Sequence, residues 1–140
     1  MAIRGQIRYS SCMPGLFTIL SPAKTLDMSG GEGLSFEASR PRHSAKTTTL
    51  AKELEGYSSG KLEKLMSISA KLAKENATRW NAFGERSNPR GAAAMCFRGD
   101  VYQGLEAWTM KKSAVTWAQD RVRILSGLYG LLRPLDTIQP

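Results

Sequence analysis

The chain has 140 residues, with 20 Lys and Arg against 12 Asp and Glu, a formal charge of +8 and a hydrophobic share of 41%. That length suits one domain with a real core, and the apolar share, which includes three tryptophans, excludes a chain too polar to fold. No apolar run approaches the roughly 18–20 residues that cross a bilayer, so no membrane span is expected, and the cation excess points to a polyanionic partner.

In chain order, "MAIRGQIRYSSCMPG" carries Arg4 and Arg8, no acid and no long apolar core. It is not a secretory signal and is expected to be a disordered extension, residues 1–15. "LFTIL", residues 16–20, is a short run of strand formers bounded by Gly15 and Ser21-Pro22 and predicts a buried strand. The Gly- and Ser-rich "MSGGEGLSFEASRPRH" predicts a loop. Helices are expected over 45–54 and over 61–83, the second broken near Ser67 or Ser69. Its apolar face is Leu62, Leu65, Met66, Leu72, Ala73 and Asn76, with Lys61, Lys64, Lys71 and Lys74 opposite. "FGERSNPRG" predicts a loop, residues 92–97 ("AAAMCF") a second strand, and "GDVYQGLEAW" a turn into a short helix. From Ser113, as N-cap, the stripe Ala114, Val115, Ala118, Val122 and Leu125 predicts a helix running directly into "SGLYG", with Trp117 in the core.

Candidate chemistry lies at several places. Cys12 and Cys96 have no metal-ligand spacing and His43 is the only histidine, so neither a metal site nor a cofactor is expected. "SPAKTLD" follows the first strand, where α/β sheets gather ligands, which makes Lys24 an anion contact and Asp27 its orienting partner. Ser21 and Lys24 also spell S-x-x-K, as do Ser58 and Lys61. The companion motifs of serine acyl-enzymes are absent, so the pattern carries nothing. Arg79, Arg98, Arg121, Arg123 and Arg133 are interspersed with Trp80, Tyr102, Trp117 and Tyr129, a pattern that would suit a nucleic-acid cleft, although aromatics at helical spacing are more often core. Gly127 and Gly130 allow two readings: a helix-hairpin-helix whose turn presents backbone N–H groups to a phosphate, or a helix C-cap followed by a buried strand. By pattern alone the second is favoured.

Four segments taken together, "SPAKTLD", "MSISAKLAKENATR", "FRGDVYQGL" and "RILSGLYGLLRPLDTIQP", resemble the YaaA peroxide-stress protein family. The resemblance runs from Leu16 to Pro140 and implies a mixed α/β fold, with a mixed sheet flanked by helices and a helix-hairpin-helix-like element. It further implies a cytoplasmic protein of the peroxide response that binds double-stranded DNA through a basic cleft, with little sequence demand, and limits damage from free intracellular iron. Residues 16–140 would be the N-terminal part of a single domain that continues in the family, so the fold is expected to be incomplete. On this reading Lys24, Arg79, Arg98, Arg123 and Arg133 contact phosphates, Gly127 and Gly130 shape the turn, and Tyr102 and Tyr129 stack or position. The alternative is a glycosylase- or lyase-like enzyme, with Lys24 as amine nucleophile and Asp100 or Asp136 as general acid/base.

Overall fold

The computed structural model describes residues 16–30 and 36–140; the extension expected at 1–15, with Cys12, lies outside them. Strand β1 (Thr18–Leu20) leads through an exposed bend at Lys24 to β2 (Thr25–Leu26). Three helices follow: α1 (Ser44–Glu55), α2 (Ser59–Met66) and α3 (Ala70–Ala82). The expected break falls between the last two. Ser67 takes the left-handed conformation (φ 51°) as the α2 C-cap, and the Ser69 hydroxyl accepts from the Leu72 N–H as the α3 N-cap. Leu62 and Ala73 are fully buried where α2 packs on α3. Leu65, Met66 and Leu72, predicted on the same apolar face, stay exposed.

Residues 92–97 do not form the expected strand. β3 (Gly91–Ala92) and β4 (Phe97–Arg98) are separated by a single buried helical turn, α4 (Ala93–Cys96). Alanine costs least in a helix, and the turn is anchored where it starts. The Ala93 and Ala94 N–H groups donate to the carbonyls of Asp136 and Pro134. After α5 (Asp100–Leu105) and a 3₁₀ turn (Ala107–Thr109) comes α6 (Lys112–Arg121). Lys111, not Ser113, is its N-cap, and the helix stops at Arg121 instead of reaching the glycines. Trp117 lies exposed on it, not in the core.

From Val122 the chain alternates with period two, Val122 and Ile124 buried, Leu125 exposed. This is strand geometry. β5 (Val122–Ser126) turns back into β6 (Gly130–Leu132), and β7 (Thr137–Ile138) ends the described fold. The β1-β5-β6 sheet is mixed, parallel between β1 and β5 and antiparallel between β5 and β6; β2–β4 and β3–β7 are separate antiparallel pairs. The fold is thus mixed α/β, as expected. The helix-hairpin-helix is corrected to a strand hairpin. Its core gathers α4, Phe97, Tyr102, Val115, Ile124, Tyr129, Leu132 and Ile138. β1 is corrected from a buried to an edge strand. Phe17 and Ile19 remain exposed, beside Leu125 and Leu131, because no described element covers that sheet face.

Candidate nucleic-acid interface

The hairpin loop is the local feature that the sequence made most conspicuous. Ser126 pairs with Gly130 across it, leaving three loop residues. Gly130 has φ +72°, the left-handed position that closes such three-residue loops. A Cβ there would lie 3.0 Å from the His43 ring, whereas a Cβ on Gly127 would meet nothing within 4 Å. The loop rests against the start of α1: the Thr47 hydroxyl donates to the Leu128 carbonyl over 3.2 Å. The approach to α1, "SRPRH", therefore places Arg40 and His43 beside the loop.

Arg133 joins this cluster through Asp136. The Asp136 side chain is fully buried and accepts from the Arg133 backbone N–H (2.8 Å), Nε (3.1 Å) and Nη2 (2.8 Å), and from the Ser39 hydroxyl (2.7 Å). The remaining reach of Arg133 Nη2 is to the Arg40 carbonyl at 3.2 Å. Gln119 extends the network, donating to Ser39 Oγ and accepting from the Leu135 N–H. Asp136 is enclosed by these donors, and Asp100 stands exposed in the first turn of α5.

The other predicted cations lie elsewhere. Register pairs Thr25 with Arg98, which brings the Arg98 guanidinium to Asp27 at 2.9 Å. Asp27 therefore orients Arg98, not Lys24 as expected. Hydrogen bonds from Ser29 hold the Asp27 carboxyl below the usual carboxylate range, with Arg98 adding to them. Arg98 also donates to the Met95 carbonyl (2.7 Å) and lies over the Trp108 ring. Lys24 is exposed and takes part in none of the ion pairs found among the described residues. Arg123 donates to the carbonyls of Gln119 and Val122, closing the end of α6, and covers the Phe17 ring. Arg79 is exposed on α3, paired with Glu75 one turn away. The predicted residues thus fall in separate places instead of one constellation, with Gly127, Gly130 and Arg133 together at the α1 approach.

Neither predicted tyrosine offers an open face for stacking. Tyr102 is buried against Phe97 with its hydroxyl donating to the Ser21 carbonyl. Tyr129 is buried and accepts from the Gln139 N–H at 2.7 Å. Burial pushes both phenols up to about 12 and the Cys96 thiol up to about 11. Sequence reasoning missed Arg40 and Arg90, which sit in loops without periodicity, and only their charge marked them.

Residues 16–140 match the family model described as peroxide stress protein YaaA. A UPF0246 protein of Phenylobacterium zucineum is 46% identical over 125 residues, covering 89% of this chain and 47% of that protein. A UPF0246 protein of Rhizorhabdus wittichii is 48% identical over 126 residues, covering 89% of this chain and 48% of that protein. The chain spans about half the length of the curated relatives it matches.

Proposed function

The chain belongs to the YaaA peroxide stress protein family, and from that premise we propose that it serves the peroxide response in the cytoplasm by binding duplex DNA without strong sequence preference, with less damage from free iron as the outcome in the cell. The observation that carries the reading is the excess of cations that no acid neutralises. Lys and Arg number 20 against 12 acids, and only three ion pairs form among the described residues. Such a surface attracts phosphates through a field that any sequence satisfies.

In this reading the duplex backbone lies along the α1 approach. Gly127, which has open space around it, lets a phosphate come close to the loop backbone. Arg40 supplies charge beside it and exposed Lys24 extends the field, whereas the charges of Arg133 and Arg79 are offset by Asp136 and Glu75. Arg98 and Arg123 have their guanidinium groups hydrogen-bonded to main-chain carbonyls, so they add to the field more than to direct contacts. Two duplexes of equal length and unrelated sequence should compete for the chain with affinities within about threefold of each other. Failure to bind either at low salt would overturn the reading, and a hundredfold preference for one would remove its lack of specificity.

A further inference from the structure

A cavity of about 450 Å³ opens between the approach to α1 and the loop that follows α3, within the roughly 300–1,000 Å³ of small-molecule sites. Of the predicted site residues only Tyr129 is among its described lining residues. Arg40 and Arg90 stand in its walls, and no carboxylate lines it among the described residues. Ser44 Oγ accepts from Arg40 Nε at 2.9 Å, which fixes that side chain and leaves both Nη groups to a ligand. Among the described residues Arg90 makes only long contacts, 3.4 and 3.5 Å, to the Gly84 and Glu85 carbonyls. Helix α1, 12 residues long, starts at this cavity, and no side chain caps it. Two guanidinium groups and an uncapped helix start select an anion with several oxygens.

The floor adds a second, independent demand. Gln139 is 9% exposed, its Oε1 accepts from the Gly84 N–H at 3.0 Å, and its Nε2 is buried with no partner among the described residues. An unmatched buried donor destabilises the fold until an acceptor reaches it. Beside it stands half-buried Phe83, backed by the buried Tyr129 ring 6.2 Å away, an apolar wall against which a flat ring can pack. Phosphate, flat ring and carbonyl acceptor occur together in one ligand class.

We propose that this cavity binds a nucleoside 5′-phosphate, with the phosphate between Arg40 and Arg90, and a carbonyl-bearing base against Phe83 that accepts from Gln139 Nε2. The same chemistry belongs to a free nucleotide and to the phosphorylated 5′ end of a strand. The assignment goes beyond the duplex reading and does not rest on it.

Calorimetric titration of the 140-residue chain with thymidine 5′-monophosphate tests it. Saturable binding is expected, weaker by tenfold or more in Arg40→Ala and in Arg90→Ala, and unchanged in Lys112→Ala on α6. Thymidine without its phosphate should bind at least tenfold more weakly, and inorganic phosphate likewise, because each satisfies only half of the site. Gln139→Glu keeps the acceptor for Gly84 and removes the donor, so it should lose affinity while the chain still melts cooperatively. A 5′-phosphorylated oligothymidylate that competes better than its 5′-hydroxyl counterpart assigns the site to strand ends; competition by the mononucleotide alone assigns it to free nucleotide. No saturable binding by a folded chain overturns the proposal, as does equal affinity for phosphate and nucleotide. Nucleotide binding by a chain that ignores duplexes removes the duplex reading and leaves this one standing.

Discussion

At Gly130 the backbone requires what at Gly127 it only permits. An L-residue at φ +72° carries strain, and its Cβ would press on the His43 ring; at Gly127 a side chain meets open space. Gly130→Ala should therefore cost about 1–2 kcal/mol in chemical denaturation, and Gly127→Ala no more than about 0.5 kcal/mol. Equal losses at both positions would show that the loop is built differently. The tyrosines make a second prediction at this scale. A phenol titrates near 10 when free, and burial raises Tyr102 and Tyr129 to about 12. The fold keeps the neutral form, so this stability is fully present below about pH 10 and is lost as pH climbs through 12, roughly 2–3 kcal/mol for each group. Two of the four tyrosines should form phenolate only in that upper window, together with unfolding. Four simultaneous titrations near 10 in a folded chain would contradict it.

Among the elements, the turn between β6 and β7 holds the most together. It binds the start of α4 through the Asp136 and Pro134 carbonyls and closes on itself through Arg133 and a fully buried Asp136. Removing one partner of such a pair leaves a buried charge without compensation. Arg133→Ala should cost about 3–5 kcal/mol, and adding Asp136→Asn should recover a measurable part in the same denaturation experiment; an additive double variant would mean that the pair is not coupled. The same turn explains where the sequence was legible. The helical periods of 45–54 and 61–83, and the serine break inside the latter, are local signals, and α1, α2 and α3 follow them. "AAAMC" and "VRILS" were ambiguous, because a short apolar run fits either period. What decides them is remote: residues 133–136 anchor α4, and pairing with β1 draws Val122 out of the helix. For the site, sequence marked cations by charge alone. It had no means of telling a guanidinium held by short bonds to carbonyls, as in Arg98 and Arg123, from one that makes only long contacts to them among the described residues, as in Arg90.

Over the whole molecule, charge and exposed apolar surface are arranged unevenly. One face of the β1-β5-β6 sheet presents the apolar side chains of Phe17, Ile19, Leu125 and Leu131, with Arg123 over Phe17, and a phosphate backbone gains little there. The α1 approach combines Arg40, Arg133 and an open loop, and Lys46, Lys52, Lys61, Lys64, Lys71 and Lys74 add cations on α1, α2 and α3. If that excess binds duplex DNA, each neutralised phosphate releases condensed counterions. The measurement that tests this most directly is the duplex affinity of the 140-residue chain across a series of salt concentrations. The logarithm of the association constant should fall linearly with the logarithm of salt, with a slope near −0.9 for each phosphate contacted, so a footprint of about five contacts gives about −4.5. Lys24→Ala should make the slope shallower by about one, whereas Gly127→Val, which removes no cation, should lower affinity at an unchanged slope. An affinity that does not move with salt, or no duplex binding at the lowest salt, would contradict the account.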